Sequence, residues 1–128
     1  MNSREIVKTS KAPDAIGPYS QAVKMNKMVF LSGQIAIDPK TQQFIGGDIE
    51  TQTKRVLDNL KAVVEESGSS LDNVVKTTIY LTDINDFSKV NEIYATYFSS
   101  GKLARSTVCV AALPKNAKVE IDAIAEIN

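Results

Sequence analysis

In the segment AKVEIDAIAEI, Val119, Ile121, Ala123, Ala125 and Ile127 alternate with Lys118, Glu120, Asp122, Ile124 and Glu126. Successive side chains of a strand point to opposite faces, so this period predicts a long strand with one apolar face and one mostly polar face. Such a strand needs a sheet with one covered side. NVVKTTIYLTD supplies a second strand, β-branched and alternating, with Val75, Thr77, Ile79 and Leu81 on one side. RSTVCVAAL reads as a third, with Arg105, Thr107, Cys109 and Ala111 on one side and Ser106, Val108, Val110 and Ala112 on the other. Pro114 to Asn116 make a turn before the last strand. An antiparallel ladder centred on that turn pairs Arg105 with Ile124 and Glu120 with Cys109. Arg105 and Glu120 are then offset by roughly 13 Å along the strand, which a small substrate barely spans. A site completed across a subunit boundary relaxes that limit.

The remaining elements follow from local signals. EIVKT (5–9) is a short strand and SKAPDAIGP a loop. YSQAVKM and MVFLSGQ flank Asn26-Lys27 as a hairpin. Asp38-Pro39 marks a turn, and Gly46-Gly47 closes that loop. Asp48 is a plausible N-cap for a helix whose stripe is Ile49, Val56, Leu60, Val63 and Val64 and whose end is Gly68. A second helix starts near Asn85 or Asp86, with Phe87, Val90, Tyr94 and Tyr97 as its stripe and Ile93 and Phe98 alongside. The order β-β-β-α-β-α-β-β predicts one domain, 1–128, of α+β class: a six-stranded mixed sheet with two helices on one face. The uncovered face then calls for a partner, which points to an oligomer.

Fifteen basic residues balance fifteen acidic ones, so counterion release offers little drive toward nucleic acid. The chain has no histidine and a single cysteine, Cys109, which leaves no ligand set for a structural zinc and no internal disulfide. Acid–base chemistry therefore falls to carboxylates, tyrosine, lysine, backbone groups or water. MNSREIVKTSKAP lacks the apolar core of a secretory signal, and no run approaches the roughly 18 apolar residues of a membrane span. A cytoplasmic protein is the expectation, with an organellar location left open.

Candidate residues stand out against plain structural alternatives. Arg105 is a strong cation opening an apolar strand; it can grip a carboxylate with two parallel bonds or pair with a surface acid at a sheet edge. Glu120 accepts hydrogen bonds only when ionised, so it can hold a water, or it can simply face solvent beside Asp122 and Glu126. Ser32-Gly33 permits close backbone approach to a ligand, or marks the end of a strand. In AIGPYSQ the Gly17-Pro18 pair stiffens the entry to Tyr19, Ser20 and Gln21; a strand beginning at Tyr19 puts Tyr19 and Gln21 on one side. Tyr19 then orients a ligand or caps the core. Cys109 reads as a small buried hydrophobe, with no histidine to activate it. Gly46-Gly47-Asp48 has neither the spacing of a phosphate-binding loop nor a charge that welcomes phosphate.

The blocks APDAIGPYSQAV, FLSGQIAIDP, GGDIETQT, VVKTTIYLTD and ARSTVCVAALPKNAKVEIDAIAEI, in this order and spacing, resemble the RidA (YjgF/YER/UK) family of enamine/imine deaminases from about Ala12 to Ile127. The arginine of ARSTV with the glutamate of VEI is similar to the deaminase subgroup. The resemblance implies a chorismate-mutase-like α+β protomer, a homotrimer with clefts between subunits, and hydrolysis of 2-imino acids to 2-keto acids and ammonia. The imino acids are those formed from 2-aminoacrylate and 2-aminocrotonate, and no metal or organic cofactor is implied. By the same resemblance Arg105 clamps the substrate carboxylate and Glu120 holds the attacking water. Tyr19 and Ser32 line the cleft, the Gly33 backbone lies nearby, and Asn91 is a further cleft residue.

Two positions depart from the family pattern. Leu103 stands where a proline commonly precedes Ala-Arg-Ser, and Thr107 stands where some members carry cysteine. Rival readings are a ribonuclease or translation inhibitor, a role attached to some relatives, and a non-catalytic keto-acid sensor or chaperone-like holdase. The missing histidine and neutral charge weigh against the first; the second differs in tolerating loss of Arg105 if it is a holdase.

Overall fold

The computed structural model describes residues 3–127. Its strands are β1 (Glu5–Val7), β2 (Ala22–Met25), β3 (Met28–Gln34), β4 (Ile37–Asp38), β5 (Gln43–Phe44), β6 (Val74–Leu81), β7 (Ala104–Cys109) and β8 (Val119–Glu126); its helices are α1 (Ile49–Glu66) and α2 (Phe87–Tyr97). Six strands form one sheet in the order β1-β2-β3-β8-β6-β7, and β4 and β5 form a separate ribbon that sequence reading had as plain loop. All pairings in the large sheet are antiparallel except β6 with β7.

Local signals explain the elements. Met25 pairs with Met28 across a two-residue turn in which Asn26 takes φ 58°, the left-handed geometry that a tight hairpin requires. The Asp48 carboxylate accepts the Thr51 N–H at 2.8 Å and opens α1. Gly68, at φ 87°, turns the chain away after Ser67. The inner face of α1 buries Val56, Leu57, Leu60, Val63 and Val64 against Val29, Leu31, Ile79, Ile121 and Ala125 of the sheet. From α2, Val90 and Tyr94 join the same core, with Phe98 just beyond its end.

The expected hairpin of the last two strands does not form. β7 lies parallel to β6 at the sheet edge, and β8 inserts between β3 and β6. Burial explains the choice. Val119, Ile121, Ala123 and Ala125 are at most 4% exposed and demand neighbours on both sides. β7 is exposed at every position but Thr107 and suits an edge. Cys109, expected to be buried, is exposed for the same reason.

A second correction concerns β6. Its register shifts between Val74 and Lys76, so Val74 turns into the core and Val75 is left 39% exposed. Thr77, Ile79 and Leu81 face inward as expected. The bulge inserts one residue and flips the side chains before it.

The helices cover one face of the sheet. The other carries Phe30, Lys76, Thr78, Tyr80, Glu120, Asp122 and Ile124, all partly or fully exposed, with Phe30 at 48%. Among the described residues no helix is long and apolar enough to cross a membrane.

Candidate active site

Glu120 stands on the open face, and a bulge in β3 prepares its surroundings. Leu31 pairs with Ala123 but Gln34 pairs with Ile121, so β3 spends one residue more than β8 over this stretch. Leu31 and Gln34 are both buried, which leaves Ser32 and Gly33 together toward the open side. Gly33 lies directly against the Glu120 side chain: a Cβ there would overlap Oε2 and stand 2.9 Å from Cδ and 3.1 Å from Cγ.

The carboxyl itself has a distinctive electrostatic setting. Burial, and then the charge of Asp122 on the same face, push it above the ordinary glutamate range. Across the ladder stands Tyr80, yet its hydroxyl donates to Asp122 Oδ2 at 3.0 Å, not to Glu120. That bond, with burial, raises the Tyr80 phenol in turn. A cavity of about 330 Å³ opens beside Glu120, lined among others by Ala15, Ile16, Tyr19, Ser32 and Gly33.

AIGPYSQ folds differently from a strand entry. Gly17 takes φ 116° and its carbonyl accepts the Tyr19 N–H at 2.9 Å, a tight turn around Pro18. β2 begins only at Ala22, so Tyr19 and Gln21 do not share a strand face. Tyr19 is 55% exposed at the cavity, whereas Gln21 is buried at 3%. Gln21 Oε1 accepts the Thr9 N–H at 2.7 Å, while Nε2 donates to the carbonyls of Thr9 at 3.0 Å and Pro13 at 2.7 Å. Ser32 ties down the other flank: its hydroxyl donates to the Ser20 carbonyl at 2.6 Å and its N–H to the Gln21 carbonyl at 2.9 Å. Ser32 thus lines the cavity with its proton already committed to the Tyr19 loop. Gln21→Ala should cost about 1–3 kcal/mol, because it strands buried loop groups without partners. Denaturant unfolding checks that loss, and faster amide exchange at Thr9 checks its origin.

Arg105 occupies a different place. It pairs with Thr77, a buried residue of the helix-covered face, so its side chain rises toward α2. Its Nη1 donates to Asn91 Oδ1 at 2.8 Å. The guanidinium lies 4.9 Å from the Tyr94 ring centre and 5.6 Å from that of Phe87. Tyr94 is fixed by its hydroxyl bond to Thr77 Oγ1 at 2.7 Å and by the Phe98 ring at 4.6 Å. Among the described residues no carboxylate pairs with Arg105; the two ion pairs are Lys24–Glu5 and Lys89–Glu50. A shallow cleft here is lined by Asn91, Tyr94, Ala95, Gly101, Leu103 and Arg105.

The structure therefore gathers Tyr19, Ser32, Gly33 and Glu120 in one place and Arg105 with Asn91 in another. Arg105 is level with Thr77 and Ala123, which face the helices; Glu120 is level with Tyr80 and faces away. The two charged groups lie on opposite faces of the sheet, two strands apart, about 10 Å laterally. One chain does not bring them together, and the shared face implied by the hairpin ladder is corrected. Sequence reading saw Tyr94 only as helix stripe and missed its platform under Arg105; Phe87, Asn91 and Tyr94 at helical spacing carried that signal. Among the described residues no three His, Cys, Asp or Glu side chains converge as metal ligands.

These features define an α+β protein with helices on one sheet face and two separated charged sites. The family model described as Endoribonuclease L-PSP matches residues 9–127, and the chain belongs to that family, the Rid proteins its motifs resemble. Reactive Intermediate Deaminase A, chloroplastic, of Arabidopsis thaliana is 52% identical over 97% of this chain and 66% of that protein. The 2-iminobutanoate/2-iminopropanoate deaminase of Homo sapiens is 48% identical over 95% of this chain and 89% of that protein. The crystal structure of E. coli TdcF with bound serine superimposes with a TM-score of 0.90 at 43% identity, covering 97% of this chain and 99% of that one.

Proposed function

We propose that this chain is an imine deaminase that hydrolyses 2-iminobutanoate and 2-iminopropanoate to the 2-keto acids and ammonia, in clefts that adjoining copies of a homotrimer complete. The single observation that carries the reading is the guanidinium of Arg105, held by Asn91 and Tyr94 yet left without a carboxylate partner among the described residues. The deaminase names of relatives about half identical over nearly the whole chain support it. So does the serine in TdcF, a small molecule with an α-carboxylate.

The chemistry needs no histidine. Arg105 of one copy grips the substrate carboxylate with two charge-assisted bonds. Glu120 of the adjoining copy holds a water against C2 of the protonated imine and takes a proton as the C–O bond forms. The carboxylic acid then protonates the amino nitrogen of the carbinolamine. The C–N bond breaks, ammonia leaves, and the hydroxyl proton returns to Glu120 as the C=O bond forms. Raised proton affinity suits a group that must both take and give a proton. Imine hydrolysis is fast even without help, so orientation of two reactants is the main contribution.

The direct test generates the imine with an amino-acid dehydratase or oxidase and follows keto acid with and without this protein. Faster release is expected; an unchanged rate refutes the reading. RNA cleavage that survives repeated purification and vanishes with Arg105 or Glu120 substitution would favour the ribonuclease reading instead.

The aromatic platform gives a second measurement. Tyr94→Leu should raise KM about 3- to 10-fold by releasing the guanidinium, whereas Tyr94→Phe keeps the ring and most of the affinity. Equal KM values for the two variants would show that the ring does not hold the guanidinium in place.

A further inference from the structure

We propose that Gly33 is a positioning residue: the vacancy where any other side chain would begin is the seat of the Glu120 carboxylate. This deepens, and rests on, the imine-hydrolysis reading above.

The need for glycine here is one of space. Its φ lies outside the left-handed region, unlike Gly17, Gly46, Gly47, Gly68 and Gly101, so the backbone alone would accept alanine. The three atoms nearest to such a Cβ are Oε2, Cδ and Cγ of Glu120. The β3 bulge brings that vacancy to the open side beside β8, where an unbroken ladder would have turned one of Ser32 and Gly33 away. The other groups around the carboxyl do not hold it. Tyr80, directly opposite, gives its hydroxyl to Asp122; Asp122 repels it; Lys115 lines the same cavity, yet among the described residues it forms no ion pair with Glu120. What remains to fix the carboxylate is contact with a backbone stripped of its side chain.

A methyl group at position 33 meets the far end of a flexible side chain, so the glutamate yields and the strand does not. Gly33→Ala should therefore swing the carboxylate toward water. We expect kcat to fall about 10- to 100-fold, the scale of a small misplacement of a reacting group. KM should stay within about twofold, since Arg105 and Asn91 lie elsewhere. In the Glu120→Gln background the same substitution should have little further effect on kcat, because the group it displaces is already disabled. A readout independent of activity is the carboxyl-carbon NMR titration of Glu120, which should move down toward the ordinary glutamate value in Gly33→Ala.

An unmoved titration overturns the proposal, as does an equal loss of kcat with and without the Glu120 carboxylate. A wild-type protein without imine hydrolysis would sink the functional reading alone and leave the titration to judge the seat. Should Gly33→Ala fail to fold, the double variant with Glu120→Ala must fold, because the overlapped atoms are gone; failure there also overturns the proposal.

Discussion

Arg105→Ala and Glu120→Gln, each nearly inactive alone, should regain about a quarter of wild-type turnover when their subunits are mixed and allowed to exchange. Arg105 rises on the helix-covered side of an edge strand, and Glu120 stands on the opposite side of the sheet. If each cleft takes its arginine from one copy and its glutamate from the next, a hybrid cleft is intact whenever the first copy carries only Glu120→Gln and the second only Arg105→Ala. Random assembly makes that about one cleft in four. If Arg105 is the proposed carboxylate clamp, Arg105→Ala alone loses two charge-assisted bonds of about 1.5–3 kcal/mol each, or on the order of 10²–10⁴ in kcat/KM. Its fold, and the trimer if it forms, should persist, since among the described residues the exposed guanidinium makes no ion pair. Mixing that restores nothing, or a protein that sediments as a monomer, defeats the shared cleft. Full activity in Arg105→Ala defeats the carboxylate clamp itself.

The sequence made the secondary structure readable where a local cause acts. Asp48 and Gly68 bound α1 because capping is decided within a few residues. The alternation ending at Glu126 marks β8 because burial on one face imposes a period of two. What failed was decided at long range. Nothing near Pro114 shows that β7 belongs beside β6, since that pairing depends on which strand most needs two neighbours. The error matters for function, because moving Arg105 from the level of Ile124 to that of Ala123 transfers it to the other face. The bulges at Val74–Lys76 and Leu31–Gln34 were equally hidden. For the candidate site, residue types with the family's motifs proposed Tyr19, Ser32, Gly33, Asn91, Arg105 and Glu120, but could not show how each is held. Gln21 looked like a third polar group on display and is instead the buried bracket of the loop.

Glu120→Gln should separate turnover from stability. The uncharged amide cannot accept the water's proton, so kcat should fall about 10²-fold or to the uncatalysed floor. Binding of a keto acid should survive, because the carboxylate clamp is untouched. Stability should move the other way. The Glu120 carboxyl is raised above its ordinary value by burial and by Asp122, so the folded state holds the proton more tightly than the unfolded chain. Between the ordinary value and the raised one the native state binds more protons, and stability falls as pH climbs through that window. At neutral pH the ionised group therefore costs stability, which the glutamine variant recovers as a higher Tm. Activity has the opposite sign: in the proposed mechanism the carboxylate is the working form, so kcat/KM should drop on the acid side at a pH above that of a free glutamate. Asp122→Asn should shift this acid limb downward by removing the neighbouring charge. A glutamine variant with unchanged turnover would dismiss Glu120 as the base. One that loses turnover but melts no higher than wild type at neutral pH would show that the carboxylate is better solvated than its burial implies.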